Sequence, residues 1–156
     1  MLPILVLSGH YDRDPGLDQY LLALVDSKKG HLNQWIATSS HANGQKVSSQ
    51  YQRGGLLPPI HHCRNLTKYE VDTKPLDLTH QAGVRGNFYK ILPFEVTTVS
   101  GTKRSDFGIH FDANVPGSLG CIVMNQHNWK DFEATITNLR LVEKVEIGRA
   151  SCRERV

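Results

Sequence analysis

Two residues able to do nucleophilic chemistry, His110 and Cys121, flank a turn-rich stretch of the sequence. Residues 112–120 hold Asp, Asn, Pro, Gly and Ser, which predicts a turn. Alternation along the preceding strand puts His110 on the face opposite the apolar Phe107 and Ile109. If the strands around the turn pair, directly opposed Cβ atoms lie about 4.5–5.5 Å apart. The imidazole would then reach the thiol.

Such a pair would generate a thiolate, which is the nucleophilic form of cysteine. An unperturbed thiol, with a pKa of about 8.5, is mostly protonated near neutral pH, and a neighbouring imidazole can take the proton and leave an ion pair. A Cys121 activated in this way is expected to alkylate rapidly near neutral pH. Asp112 shares the strand face with His110 and could orient its ring, although a backbone carbonyl could do the same. Gly120 permits close backbone approach, so the N–H groups of residues 120 and 121 could stabilise an oxyanion, typically by about 3–4 kcal/mol per donor.

Other interpretations of these residues are open from spacing alone. A cysteine at the start of an apolar strand is often a small buried hydrophobe. A histidine beside a turn is often a surface group, and this chain has eight histidines. A papain-like hydrolase is disfavoured because it places its cysteine before its histidine, whereas here His110 precedes Cys121.

The segment resembles the active-site signature of the L,D-transpeptidase (YkuD-like) catalytic domain. That family has an Ile-His strand, a loop, and Ser-x-Gly-Cys followed by a β-branched residue; here these are Ile109-His110 and Ser118-Leu119-Gly120-Cys121-Ile122. Weaker resemblance over residues 32–60 and 85–93 extends the match to about residues 32–145. The departures are Phe111-Asp112 where many members have Gly-Thr, Leu119 where many have His or Arg, and Val123 in place of Arg. They suggest a divergent branch, such as phage-borne or environmental relatives.

The resemblance implies acyl transfer on peptidoglycan tetrapeptide stems at the cell envelope. Cys121 would form a thioester, His110 would protonate the departing D-alanine, and an amine from a second stem would complete a 3–3 cross-link. Gly120 would belong to the catalytic set, and the residues expected to bind or orient substrate are Ser118, Leu119, Asp112 and Arg104. Solvent exposure is the alternative for Arg104. No cofactor or metal is implied.

Two alternative functions stay open. Water as acceptor would make the protein an L,D-carboxypeptidase or another murein hydrolase similar to a phage lysin. A protein of the same fold without a reactive thiol would be a non-catalytic cell-wall-binding module.

The elements expected to position these residues are mainly β. Strands are predicted at Ile4–Leu7, Gln34–Ser39, Asn87–Leu92, Phe94–Val99, Phe107–Phe111, Cys121–Met124 and Leu141–Val145. Apolar spacing favours helices at Leu17–Val25 and at 125–139, with Asn125 as N-cap of the second. Residues 40–60 are predicted to be a loop or an irregular hairpin. We therefore expect an L,D-transpeptidase-like β-sandwich or barrel with one α-helix packed after the catalytic strand.

We expect a catalytic domain at residues 32–145 with two flanking segments. Residues 1–31 form an N-terminal extension in which Val6–Gly16 resembles the first strand and zinc-histidine turn of N-acetylmuramoyl-L-alanine amidases. It is interpreted as a remnant. Residues 146–156 resemble a translated sequencing adapter and are expected to be an artefactual tail.

Composition excludes several other classes. The chain has 156 residues, 39% apolar and 21% charged, which is typical of one globular domain. No apolar run approaches the roughly 20 residues of a membrane span, and the opening residues do not predict an export signal. The net charge of +3 is too small to indicate nucleic-acid binding. His61-His62-Cys63 is predicted to be a polar loop, because adjacent strand residues point to opposite faces and would rarely share a metal ion.

Overall fold

The computed structural model describes residues 4–14, 17–26, 30–39, 57–113, 121–139 and 145–147. These residues form eleven strands, one α-helix and a short 3-10 helix at Ile60–His62. The strands are β1 (Ile4–Asp14), β2 (Leu17–Asp26), β3 (Gly30–Ala37), β4 (Tyr69–Val71), β5 (Leu76–Leu78), β6 (Gly86–Leu92), β7 (Glu95–Thr97), β8 (Lys103–Ser105), β9 (Gly108–Phe111), β10 (Ile122–Met124) and β11 (Val145–Ile147). The helix, α1, spans Gln126–Asn138.

Nine strands form one sheet that closes on itself. Eight of them follow the order β10-β9-β6-β4-β11-β1-β2-β3, and β5 pairs with β6. The two ends of this path meet at an antiparallel bridge between Thr38 and Val123, with N–H···O distances of 2.9 and 2.8 Å. Strands β7 and β8 form a separate hairpin. The fold is therefore mainly β, as predicted, and the main sheet is a closed barrel.

One face of the barrel strands carries the hydrophobic core. Strand register places Leu22 beside Trp35 and Tyr89 beside Ile109, and all four side chains are buried. The same cluster includes Leu5, Leu7, Tyr20, Leu24, Tyr69, Val71, Ile91, Phe107, Ile122 and Met124. Burial of this many large apolar side chains is the main term that stabilises the barrel.

Helix α1 packs against this core face. Its predicted N-cap is confirmed, because the Asn125 side chain accepts a hydrogen bond from the Asn128 N–H. Three apolar side chains, Trp129, Phe132 and Ile136, are buried along one stripe. The Phe132 ring meets Trp35 edge-on at a centroid distance of 5.0 Å. The single packed helix after β10 agrees with the predicted architecture.

The helix predicted at Leu17–Val25 is wrong, because these residues form β2. Every second side chain, at Tyr20, Leu22 and Leu24, is at most 1% exposed, which is a strand pattern. A short apolar run is compatible with the period of a helix and with that of a strand. Here the segment is a strand because it pairs with β1 on one side and β3 on the other. The apolar strand expected to end at Leu7 also continues to Asp14, with irregular register at residues 8–12.

The predicted domain limits fall inside elements of the barrel. Strands β1 and β2 share the sheet with β4, β6 and β9, and the limit at residue 31 lies within β3. The limit at residue 145 lies within β11, which pairs in parallel with β1 and antiparallel with β4. Residues 140–144, which include most of the predicted strand Leu141–Val145, lie outside the described residues, as does most of the loop at 40–60. No helix in the described ranges is long and apolar enough to cross a membrane.

A carboxylate of α1 ties the helix to β3, and its removal tests how the helix is attached. Asp131 accepts hydrogen bonds from the Trp35 indole N–H at 2.7 Å and from the Asn33 amide at 3.0 Å. Trp35 is 2% exposed, so Asp131→Ala leaves a buried donor without this acceptor. We expect the free energy of unfolding in urea to fall by about 1–3 kcal/mol. Lys130→Ala, at an exposed position of the same helix, is the control, and equal effects of the two variants would contradict this account.

Candidate active site

His110 lies on β9 and Cys121 directly precedes the neighbouring strand β10, but the two strands are parallel. Ile122 pairs with Ile109 and Val123 pairs with His110. Extending this register by one residue places Cys121 beside Gly108. The expectation that the thiol and imidazole are directly opposed is therefore wrong. They are diagonal neighbours across the two strands, because Cys121 lies beside Gly108 and His110 is two residues further along β9.

Both side chains lie on the face of the sheet that points away from the core. Register partners share a face and residues two apart share a face, so His110, Val123 and Cys121 are on the same side. Ile109, on the opposite side of β9, is fully buried in the core. The predicted separation of the imidazole from the apolar face is confirmed. His110 is nevertheless only 8% exposed, whereas Cys121 is partly buried.

A backbone carbonyl orients the imidazole. Nδ1 of His110 lies 2.7 Å from the carbonyl oxygen of Phe111. A carbonyl oxygen only accepts, so Nδ1 carries the proton, and in the neutral ring Nε2 is the acceptor. Of the two orienting groups considered from sequence, Asp112 and a backbone carbonyl, the carbonyl is the one found at Nδ1. Asp112 itself is partly buried, and its N–H donates to the carbonyl of Met124.

The Cys121 thiol is held by backbone groups of the chain that leads into β9. Its S–H donates to the carbonyl oxygen of Asp106 at 3.2 Å. Burial raises the pKa of Cys121 to about 11; a backbone hydrogen bond from Gly108 opposes this shift, and the Asp106 carboxylate adds to it. The resting side chain is therefore a thiol at neutral pH.

The imidazole is also neutral in the resting protein. Burial lowers the pKa of His110 below its usual value, and the hydrogen bond to Phe111 opposes this shift only in part. Both shifts favour the uncharged forms of His110 and Cys121. These shifts disfavour a resting thiolate–imidazolium ion pair, so slow rather than rapid alkylation at neutral pH is expected.

Phe88 is a component of the site that the sequence analysis did not assign. It pairs with His110 across β6 and β9, and the two rings stack with centroids 5.6 Å apart and planes 25° apart. The phenyl ring also covers Gly108, where a Cβ would lie 2.1 Å from its Cζ atom. Alternation in β6 could have placed Phe88 and Lys90 on one face, but the strand partner that brings Phe88 to His110 is not encoded locally.

The remaining predicted site residues are distributed differently. Ser118, Leu119 and Gly120 lie outside the described residues. Arg104 is described and is 4% exposed, so the alternative that it is solvated is wrong. Its role in substrate binding stays a prediction.

Arg104 belongs to a buried cluster on the core side of β9. Its guanidinium lies 5.8 Å from the centroid of the Phe107 ring, and it interacts electrostatically with Tyr69 and Cys63. Cys63 is 7% exposed, and its thiol lies 3.9 Å from the Tyr69 hydroxyl. Burial lowers the pKa of Arg104 and raises those of Cys63 and Tyr69. Neither Cys63 nor Cys121 forms a disulfide bond.

The His61-His62-Cys63 segment differs from its prediction as a polar loop. His61 and His62 lie on the 3-10 helix rather than on a strand, and their rings meet edge-on with centroids 4.2 Å apart. Cys63 is buried. Within the described ranges, no group of three or more His, Cys, Asp or Glu side chains is placed to hold a metal ion.

Comparison of the chain with family models, with curated proteins and with solved structures gives no match. A functional proposal therefore depends on the local arrangement of His110 and Cys121. A neutral imidazole with an accepting Nε2 lies on the same face as a partly exposed thiol, and such a pair can pass a proton from sulfur to nitrogen as the sulfur attacks an electrophile.

The pH dependence of thiol alkylation tests the electrostatics of this site. Because the thiolate is the reactive form and the pKa of Cys121 is about 11, iodoacetamide should modify Cys121 slowly at pH 7. The rate should rise about tenfold per pH unit up to about pH 10. Peptide mapping by mass spectrometry separates Cys121 from the other cysteines. Fast modification at pH 7 that is lost in His110→Ala would instead demonstrate a resting ion pair.

Proposed function

We propose that this protein is a cysteine-dependent acyltransferase that acts on peptidoglycan stem peptides, with Cys121 as nucleophile and His110 as general base. The observation that carries the proposal is the position of both side chains on one face of paired strands β9 and β10, with Nδ1 of His110 engaged by a carbonyl. The substrate class comes from the resemblance of Ile109-His110 and residues 118–122 to the L,D-transpeptidase signature.

The first half of the reaction forms a thioester. The Cys121 thiol turns from the Asp106 carbonyl to Nε2 of His110 and gives up its proton as sulfur attacks the carbonyl carbon before the terminal D-alanine. The tetrahedral intermediate collapses when the carbon–nitrogen bond breaks. The imidazolium returns the proton to the departing amino group, so D-alanine leaves and His110 is neutral again.

The second half returns the free thiol. The amine of a second stem attacks the thioester carbonyl, His110 removes its proton, and the carbon–sulfur bond breaks with that proton delivered to sulfur. Water in place of the amine gives a carboxypeptidase through the same acyl-enzyme. Transpeptidation and hydrolysis therefore differ only in the acceptor.

Because His110 and Cys121 are both neutral at rest, the thiol proton passes to His110 during the attack, and no thiolate forms beforehand. The proton must pass to a neutral His110, so activity is lost as pH falls through the lowered pKa of this residue. Activity should consequently persist below pH 6.5, the usual pKa of histidine. A partly exposed sulfur next to a buried base also allows a stem peptide to approach the nucleophile while water has little access to Nε2.

Turnover of purified tetrapeptide muropeptides, followed by mass spectrometry, tests the proposal. Wild-type protein should release D-alanine, and Cys121→Ala should release none because the nucleophile is absent. Cys63→Ala is the matched control: it removes a buried thiol outside the site and should retain turnover.

The products distinguish the candidate functions. Cross-linked dimers establish a transpeptidase, whereas D-alanine without dimers establishes a carboxypeptidase. No turnover by folded wild-type protein would contradict the proposed acyl transfer and favour the non-catalytic cell-wall-binding module.

A further inference from the structure

The Phe88 ring fills the space above Gly108 and lies against His110. A Cβ on Gly108 would lie 2.1 Å from Cζ of Phe88 and 2.5 Å from each Cε atom. Real Cβ atoms essentially never approach that closely, so the ring and any side chain at position 108 exclude each other. The backbone of Gly108 is therefore the surface on which Phe88 rests.

Phe88 is buried on the face of the sheet that carries His110, and not in the barrel interior. Phe88 is 7% exposed but lies outside the described core cluster. Its ring neighbours are the stacked His110 ring and the Phe94 ring, which meets it edge-on with centroids 6.5 Å apart, and Leu76 of β5 is its register partner on the other side. Lys90 lies over the other aromatic ring, 5.5 Å from the centroid of Phe94. Phe88 is thus a large aromatic side chain that is buried next to the imidazole but is not part of the main core.

We propose that Phe88 is the positioning residue of His110 and that Gly108 is required to seat it. The stacked ring holds the imidazole plane so that Nδ1 stays on the Phe111 carbonyl and Nε2 is left for the thiol. This inference rests on the proposed role of His110 as a base, and it adds two residues, Phe88 and Gly108, to the machinery of that reaction.

The same ring shields the imidazole from water. Stacking removes solvent from one face of His110, which disfavours the charged imidazolium and agrees with the lowered pKa of this residue. Four other ionisable groups lie beside this face, namely Lys90 on β6, Cys121 just before β10, and Asp106 and Asp112 on either side of β9. Helix α1 packs against the opposite face of the sheet.

The test is an NMR titration of the His110 Cε1–H signal in the full chain, assigned by its loss in His110→Gln, together with the pH profile of muropeptide turnover. Phe88→Leu should raise the pKa of His110 toward 6.5 and move the acid limb of kcat by the same amount. It should lower kcat by about 10–100-fold with KM little changed, because misplacing a catalytic group by about 1 Å can cost about 100-fold. Phe94→Leu removes a ring of the same size that contacts Phe88 but is not stacked on His110, and should shift the titration less than Phe88→Leu does.

Gly108→Ala tests, independently of Phe88→Leu, whether the position of the Phe88 ring requires a residue without a Cβ at position 108. In the wild-type background it displaces the phenyl ring and should shift the His110 titration in the same direction as Phe88→Leu. In the Phe88→Leu background it should cause little further change. Gly86→Ala, in β6 with nothing within 4 Å of the added Cβ, is the control. An unchanged titration in Phe88→Leu, or equal effects of Gly108→Ala in both backgrounds, would overturn the inference.

The two readouts separate this inference from the proposed function. Wild-type protein that gives no turnover, with titrations that shift as expected, would refute the acyl-transfer proposal and leave Phe88 as the group that positions His110. Normal turnover with unshifted titrations would refute the role of Phe88 and leave the acyl-transfer proposal standing.

Discussion

The parallel pairing of β9 with β10 is the constraint on which the candidate site depends. β10 is three residues long, and its middle residue, Val123, pairs with His110 on one side and bridges to Thr38 on the other. This short strand is therefore held from both edges at the point where the barrel closes. Since the register of β10 determines where Cys121 lies, closure of the barrel also sets the position of the thiol relative to the imidazole.

The two faces of β9 contact different parts of the protein. Ile109 packs into the core that anchors the strand, whereas Gly108 and His110 face the site. Phe88 covers Gly108 and stacks on the His110 ring, which is itself only 8% exposed. Burial in an apolar setting penalises charge, so His110 and Cys121 are both favoured in their neutral forms. This arrangement differs from the preformed ion pair that the Cys–His motif suggests on its own.

Local sequence signals predicted much of this fold. The alternation in β9, the break at Pro93 between β6 and β7, and the N-capped stripe of α1 are each specified by residues close in sequence. The short strands β4, β5 and β8 were not predicted. The β2 segment was predicted as a helix because its apolar run is compatible with either a helical or a strand period, and only its two strand neighbours decide between them. The candidate site shows the same contrast between features specified locally and features that depend on long-range contacts. Residue type and spacing make His110 and Cys121 candidates, but parallel register, the stacking of Phe88 and the burial of Arg104 depend on contacts between distant segments.

The most direct test of the central claim is the rate and location of acylation of the full chain by a carbapenem, followed by intact mass and peptide mapping. The resemblance to L,D-transpeptidases implies that such a β-lactam acylates the nucleophilic cysteine. We expect one adduct, on Cys121, that forms at least about 100-fold more slowly in His110→Ala, because general-base catalysis typically contributes about 100–10,000-fold. No adduct on Cys121, or an equal rate in His110→Ala, would contradict it.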